Sequence, residues 1–363
     1  MSGRIQTWLS DPFLRELHDA VRAAGPIRSI SVDLTHACNI RCEGCYFFAE
    51  GMDAHRAASH ADLDEFIVRE RARGTNFVTV VGGEPSLELD RLKKLYDTFR
   101  LSVATNGLKR IPHEGFEDLP IGVSVWGDHE TDKKLRGGGR LDVFEQALRN
   151  YAGDPRAFFY YTVAPGYANE VESVVARCVE NGNRVLFNFY GDLEHRGGRL
   201  DYAQGFGAVR DAIDAAIARH PEHVLMTSRL AEVVSTGELF GETWGHSTCT
   251  SITADHPVNA ERILNGNAYN PHFRSYNADL VTTRRCCTGV DRDCDSCFDT
   301  WQHFSWVMLN LRKHCRSQAD FTQWLSTMYL FYFVNRLIDC TEGGRVLREI
   351  HHRTGRLSSK IKS

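Results

Sequence analysis

Cys38, Cys42 and Cys45 stand at C-x-x-x-C-x-x-C spacing and carry the sharpest chemical signal in the chain. Three thiolates on one loop can wrap a single cubane iron–sulfur cluster. The fourth iron of such a cubane has no protein ligand. An open iron can chelate the amino and carboxylate groups of a small molecule. A zinc site is the competing assignment, but structural zinc takes four ligands, usually as two close pairs. His36 is available as a fourth ligand, and nothing in the spacing favours it.

A second group of thiols lies far along the chain, at Cys286, Cys287, Cys294 and Cys297. Cys294 and Cys297 form a C-x-x-C pair on a tight loop. Either Cys286 or Cys287 can join them, and Cys249 is the best remaining candidate for a fourth ligand. Four thiolates with a close pair also describe structural zinc, so both metals stay open here. The eleven cysteines are odd in number, clustered, and not preceded by an export signal, which argues against a disulfide scaffold. Cys178, Cys315 and Cys340 read as small core residues.

The elements that must position these thiols follow from periodicity. Strand-like runs occur at Ser29–Leu34, Asn76–Val81, Leu101–Ala104, Ile121–Trp126, Ala157–Val163 and Arg184–Tyr190. Helical patterns fall near Asp62–Arg73, Leu89–Phe99, Asp142–Tyr151, Glu170–Asn181 and Phe206–Arg219. This alternation predicts βαβ units and a parallel sheet. Six units close only part of a barrel. Active groups in such sheets gather on loops at the carboxyl ends of the strands. The first cysteine loop follows the first run. Gly82-Gly83-Glu84-Pro85 follows the second, and Asn106 and Gly107 follow the third.

Beyond residue 225 the alternation stops. Ser228 to Tyr276 reads as loop with short strands, and an aromatic helical region follows the second cysteine group. These features divide the chain into an N-terminal arm (1–28), a barrel (29–225), a cysteine-bearing region (226–300), a helical region (301–344) and a basic tail (345–363). The tail, with Arg345, Arg348, Arg353, Arg356, Lys360 and Lys362, reads as a solvated, partly disordered end. The aromatics from Trp301 to Phe333 read as core or an oligomer face, or as a closure for the open side of the barrel. A net charge of −4 gives no reason to expect a nucleic-acid binder. The most apolar late stretch, Phe321 to Ile338, is broken by Gln323, Asn335 and Arg336, so no membrane span is expected. A cytoplasmic location is the default expectation.

The three-cysteine loop together with Gly82, Gly83, Glu84 and Pro85 resembles the signature of the radical S-adenosylmethionine superfamily. In that family the G-G-E-P turn holds the methionine amino group through backbone and Glu contacts. Thr105-Asn106-Gly107 resembles the family's T-N-G turn, whose plain reading is an Asn-Gly turn. Ser124 and Arg136 resemble a pair that binds the cofactor carboxylate in SPASM-type relatives, a task suited to a bidentate Arg. Two positions depart from the pattern. The usual His-Asp before the Arg is not aligned, since Thr131 and Asp132 lie one residue early. Gly44 stands where the family commonly has an aromatic residue, which leaves Tyr46 or Phe47 for the adenine side. The second cysteine group resembles the auxiliary-cluster domains of SPASM and twitch proteins, without the full SPASM set.

The resemblance implies a partial (β/α)6 TIM-type barrel with a C-terminal, loop-rich auxiliary-cluster domain. It implies a [4Fe–4S] cluster on Cys38, Cys42 and Cys45 with S-adenosylmethionine at its open iron. It tilts the second site (Cys249, Cys287, Cys294, Cys297) toward another [4Fe–4S] cluster over zinc. A one-electron donor such as flavodoxin or ferredoxin is implied, as is hydrogen-atom abstraction by a 5′-deoxyadenosyl radical. The expected substrate is a polar small molecule such as a sugar, aminocyclitol or nucleoside, undergoing dehydrogenation or epimerisation. A peptide maturase and a non-catalytic cluster or zinc sensor are the alternatives. Asp128, His129 and Glu130, and Asp192, Glu194 and His195, follow strands where a proton acceptor would sit; each set also fits a solvated loop.

Overall fold

The computed structural model describes residues 2–191, 204–264, 272–288 and 294–361. Runs rich in β-branched and aromatic residues form six parallel strands: β1 Ser29–Asp33, β2 Phe77–Val81, β3 Arg100–Thr105, β4 Ile121–Val125, β5 Ala157–Val163 and β6 Arg184–Phe189. They pair in sequence order, each with the next. The expected helices are present as His60–Ala72, Leu89–Tyr96, Val143–Asn150, Val171–Glu180 and Gly207–Arg219. The result is the partial (β/α)6 barrel that the alternation predicts.

Register assigns each face a task. Ile30, Val32, Val78, Val80, Ile121, Val123, Phe159 and Val185 are fully buried on the face that meets the helices. Each such burial contributes about 1.5–3 kcal/mol. Because side chains alternate along a strand, the opposite face carries Ser31, Asp33, Thr79, Ser102, Ala104, Gly122, Ser124, Tyr160, Thr162 and Asn188. Across β1 to β4 this inner face is small or polar apart from Phe77 and Val81. At β5 and β6 it also carries Phe158 and Leu186, with Trp301 packed on Phe158 and Tyr160. A Cβ on Gly122 would stand 3.1 Å from the Phe158 ring, so the strands approach closely there.

The two ends of the barrel differ. At the amino ends of the strands, the buried guanidinium of Arg156 donates to the carbonyls of Ile111, Pro112 and Phe116 and to both oxygens of Asp154. The helix Gln318–Val334 closes this end further: the Tyr332 hydroxyl donates to Gly25 O at 2.9 Å. Arg336, just past that helix, donates to Pro155 O at 3.0 Å. The carboxyl ends carry the cysteine loops.

Two expectations are corrected by the structure, the loop reading from Ser228 and the disordered tail, and two features are added, in the arm and at the sheet edge. The N-terminal arm is a docked helix, Pro12–Ala24, capped by Asp11 and burying Phe13, Leu14 and Leu17. The stretch read as loop from Ser228 opens with the helix Ser228–Thr236, capped by Thr227, which presents Leu230, Val233 and Val234 to the core. The sheet gains two short strands on the β1 edge, Ser275–Tyr276 parallel to β1 and Thr283–Arg284 antiparallel to it. The basic tail belongs to the helix Gly343–Ile361, which buries Val346, Leu347 and Ile350. Arg345 pairs with Glu16, Arg348 with Glu222, and Arg353 with Asp11 and Glu349, so these charges dock that helix. Among the described residues no helix is long and apolar enough to cross a membrane.

Candidate active site

β1 ends at Asp33, and the chain then turns through the loop bearing Cys38, Cys42 and Cys45. Each of these thiols is half-buried, and burial pushes all three above the ordinary thiol range, Cys42 to about 11. The Cys45 thiol lies within electrostatic reach of both Cys38 and Cys42. A metal or cluster that favours thiolates would reverse that shift.

The Gly82-Gly83-Glu84-Pro85 turn is seated directly on this loop. The Glu84 N–H donates to Ala37 O at 2.8 Å. A Cβ on Gly83 would lie 2.2 Å from the same carbonyl, and Gly83 has φ +52°. Only glycine permits this approach. The buried Glu84 carboxylate accepts from Ser86 N–H at 2.9 Å, Thr105 hydroxyl at 2.6 Å and Asn106 N–H at 2.7 Å. Glu84 therefore ties the end of β2 to the end of β3. Pro85 is buried and starts the short turn that follows.

Asn106 extends the brace. Its side-chain amide donates to Asn39 Oδ1 at 2.7 Å and also meets the Cys38 thiol. Arg136 is buried and fully engaged, bonding Ser124 O at 2.5 Å, Asn106 O at 3.2 Å and Asp132 at 3.1 Å, while its charge also faces Cys42. Ser124 lies on the inner face of β4, in register with Tyr160. The seven positions expected to bind the cofactor, Gly82, Gly83, Glu84, Pro85, Asn106, Ser124 and Arg136, thus gather at the carboxyl ends of β2, β3 and β4. Phe47 is buried; Tyr46 is exposed at its edge and lies within electrostatic reach of Cys45 and Cys287. The space above Gly44 is approached by the Tyr190 hydroxyl, 3.6 Å from a built Cβ.

The second region comes to the same end of the barrel. Cys287 and Cys297 lie within electrostatic reach of each other, and each is within reach of Cys249 and Cys286. Burial pushes Cys287 and Cys297 well up. Cys294 accepts from Arg285 at 3.2 Å, and its carbonyl accepts from Trp244 Nε1 at 3.0 Å. Both Cys286 and Cys287 are therefore beside the other thiols. Among the described residues no three or more His, Cys, Asp or Glu side chains are gathered as for a single metal ion. A four-iron cluster bridges wider sulfur separations than one ion does, and the donor set of each region suits it. A cluster at the first loop would be held by Cys38, Cys42 and Cys45; one at the second by thiols from Cys249, Cys286, Cys287, Cys294 and Cys297.

Several residues at this end escaped sequence reasoning. Arg284 makes a two-pronged pair with Asp33 at 2.6 and 2.9 Å, and also donates to the carbonyls of Tyr276, Cys286 and Cys287. Gln302 donates to the Cys287 thiol at 3.1 Å. Burial pushes the Asp299 carboxyl up to about 6, and it faces Cys287 and Cys297. The repeated arginines at 284 and 285 were the only sequence signal for any of these. Other candidates are placed elsewhere. Asp128 caps the helix His129–Leu135, and His129 pairs with Asp142 at 2.7 Å on the outside. Asp192, Glu194 and His195 lie outside the described residues. Cys178 is buried among Val171, Val174 and Val175, as expected of a core residue.

No family model matches the chain. A probable GTP 3′,8-cyclase of Saccharolobus solfataricus is 29% identical over 140 residues, which is 35% of this chain and 43% of the relative. The corresponding protein of Saccharolobus islandicus is 27% identical over the same shares. The chain thus matches less than half the length of these curated relatives. Among solved structures, native anSMEcpe with bound AdoMet and a Cp18Cys peptide aligns at a TM-score of 0.52 and 14% identity. That alignment spans 93% of this chain and 99% of the other. The same protein with bound AdoMet alone aligns at 0.50 and 15%, over 93% and 100%. At such identities the likeness establishes a shared fold.

Proposed function

Taking as premise that the chain is a radical S-adenosylmethionine enzyme, we propose that it abstracts a hydrogen atom from a hydroxylated small molecule bound against the inner face of the sheet. The first cysteine loop would hold a [4Fe–4S] cluster and S-adenosylmethionine, which together supply one-electron cleavage of the cofactor and hydrogen-atom abstraction. Gly82, Gly83 and Glu84 seat that loop against β2. Ser124 is the proposed partner of the cofactor carboxylate, with Arg136, already bonded to the Ser124 carbonyl and Asp132, bracing it from behind. A one-electron donor such as flavodoxin or ferredoxin would reduce the site.

The observation that carries the substrate class is the composition of the inner face. Ser31, Thr79, Ser102 and Ser124, on β1 to β4, offer short hydroxyl groups where a lipid or apolar substrate would need hydrocarbon. Sugars, aminocyclitols and nucleosides present matching groups. The cyclase relatives, whose name specifies GTP, support the nucleoside member of that set. The second cysteine region stands beside the same space, where an auxiliary cluster would accept the second electron of a dehydrogenation. Epimerisation, with a hydrogen atom returned to the opposite face, is the neighbouring outcome.

A second reading has its own support: the fold is shared with anSMEcpe holding a peptide. One experiment separates the two. Reconstituted protein, S-adenosylmethionine and dithionite are incubated anaerobically in D2O with myo-inositol, glucose 1-phosphate, uridine or GTP, and separately with a cysteine-containing 18-residue peptide. Loss of two hydrogens from one of the first four supports dehydrogenation, and gain of one carbon-bound deuterium supports epimerisation. Product from the peptide alone would overturn the small-molecule reading.

A further inference from the structure

The amino end of the barrel, opposite both cysteine regions, carries an unbalanced pair of charges. An open cleft there holds about 300 Å3 counting its mouth. It lies between the starts of β5 and β6 and the chain that follows the helix Gln318–Val334. Phe158 and Phe333 form its apolar wall, and Arg184, Arg336 and Cys340 bring polar groups to it. Arg156 also lines it, but that guanidinium is already engaged with Asp154 and three carbonyls.

Arg184, the first residue of β6, is half-buried and pairs with no carboxylate among the described residues. Its Nε donates to Glu222 O at 3.4 Å, and its guanidinium lies over the Phe333 ring at 5.1 Å. The Glu222 carboxylate pairs with Arg348 instead. Burial presses the basicity of Arg184 down, and Arg336 adds repulsion that no carboxylate offsets. Arg336 donates to Pro155 O at 3.0 Å, and its nearest carboxylate is the exposed Asp118, 3.8 Å from Nη2. Its backbone has φ +49°, the left-handed position after a helix where glycine usually stands, and the next N–H, of Leu337, closes that helix on Tyr332 O. Neither neighbouring titratable group supplies a negative charge. Burial holds the Cys340 thiol above the ordinary thiol range, where it donates to Ile338 O at 3.3 Å. Burial and the Arg184 charge press His223 toward its neutral form. Two like charges at a half-buried site, without a counter-charge of their own, call for one from outside.

We propose that this cleft binds a phosphate group between Arg184 and Arg336. A guanidinium is a planar fork of donors that engages two oxygens of an oxyanion at once. Two such forks suit an anion with two charges and more than two acceptor oxygens, which a phosphate has and a carboxylate has not. Arg184 belongs to the barrel and Arg336 to the C-terminal helical region, so the bound group ties one to the other. Inorganic phosphate and the phosphate end of a small metabolite present the same chemistry to the pair. The site stands apart from the hydroxylated-substrate reading and needs neither cysteine region.

The test uses the full chain after iron reconstitution, dialysed to equilibrium against radiolabelled inorganic phosphate in chloride buffer of constant ionic strength. Wild type should take up one phosphate per chain, saturably. Its melting temperature should rise about 3 °C at one hundred times the dissociation constant. Arg184→Gln and Arg336→Gly should each weaken phosphate about tenfold or more, the effect of losing a charge-assisted hydrogen bond, and the rise should vanish. Arg336→Gly puts the preferred residue at the left-handed position, so its melting temperature without phosphate shows that the fold is kept. Unlabelled AMP is then added to the wild-type sample. Displacement of the label at a similar concentration supports the site with a phosphate ester as ligand, and no displacement supports it with the free anion. No saturable uptake by wild type, or equal uptake and an equal rise in all three proteins, as a general salt effect gives, would overturn the site.

Discussion

Cys38, Cys42 and Cys45 occupy one loop after β1, whereas the second region draws Cys249, Cys286, Cys287 and Cys297 from separate segments of the chain. The first loop is held by its neighbours along the sheet: the Gly83 approach, the Glu84 carboxylate and the Asn106 amide. The second is held from a distance. Arg284 grips Asp33, 251 residues earlier, and at the same time the carbonyls of Cys286 and Cys287. A local loop needs small residues and short bonds; an assembled site needs a long cation with several donors. Asp33 serves both, since it ends β1 and anchors Arg284.

The largest expected effect comes from cutting that long-range tie. Arg284→Ala leaves Asp33 buried without its partner, a change that costs about 3–5 kcal/mol. Reconstituted iron should fall by about half, with 5′-deoxyadenosine formation retained at the first loop. Iron analysis and a urea titration check this; full iron would show that the second region stands without Arg284. Gly83→Ala should do the reverse. A left-handed backbone at a non-glycine residue costs about 1–2 kcal/mol, and the added methyl would also displace the Ala37 carbonyl. Iron should then be lost from the first loop and kept at the second, which electron paramagnetic resonance of the reduced protein distinguishes. Asn106→Ala is the mildest change. It removes the bond to Asn39, worth about 1 kcal/mol, and should raise KM for S-adenosylmethionine about fivefold with iron unchanged. Initial rates of 5′-deoxyadenosine formation measure it.

The same contrast explains what the sequence disclosed. The six strands and five of the helices follow their periodicity to within a few residues, because alternation and amphipathicity are local properties. The first cysteine loop and the turn at Gly82–Pro85 are likewise contiguous, so spacing alone singled them out. Long-range partners leave no such trace. Asp33 reads as the polar end of a strand, and Gln302 as a helix residue. The helix Ser228–Thr236 was hidden by the polar, loop-like composition of the stretch it opens. The last helix was hidden by its basic residues, which look solvated until Glu16, Glu222, Asp11 and Glu349 are seen beside them.

The most direct measurement compares wild type with the Cys38→Ala/Cys42→Ala/Cys45→Ala triple variant after anaerobic reconstitution. Iron, zinc, acid-labile sulfide and 5′-deoxyadenosine formed with dithionite and S-adenosylmethionine are determined for both. The account predicts about eight irons per chain in wild type, about four in the variant, and the nucleoside from wild type only. Equal iron in the two proteins, or equal nucleoside, would contradict it.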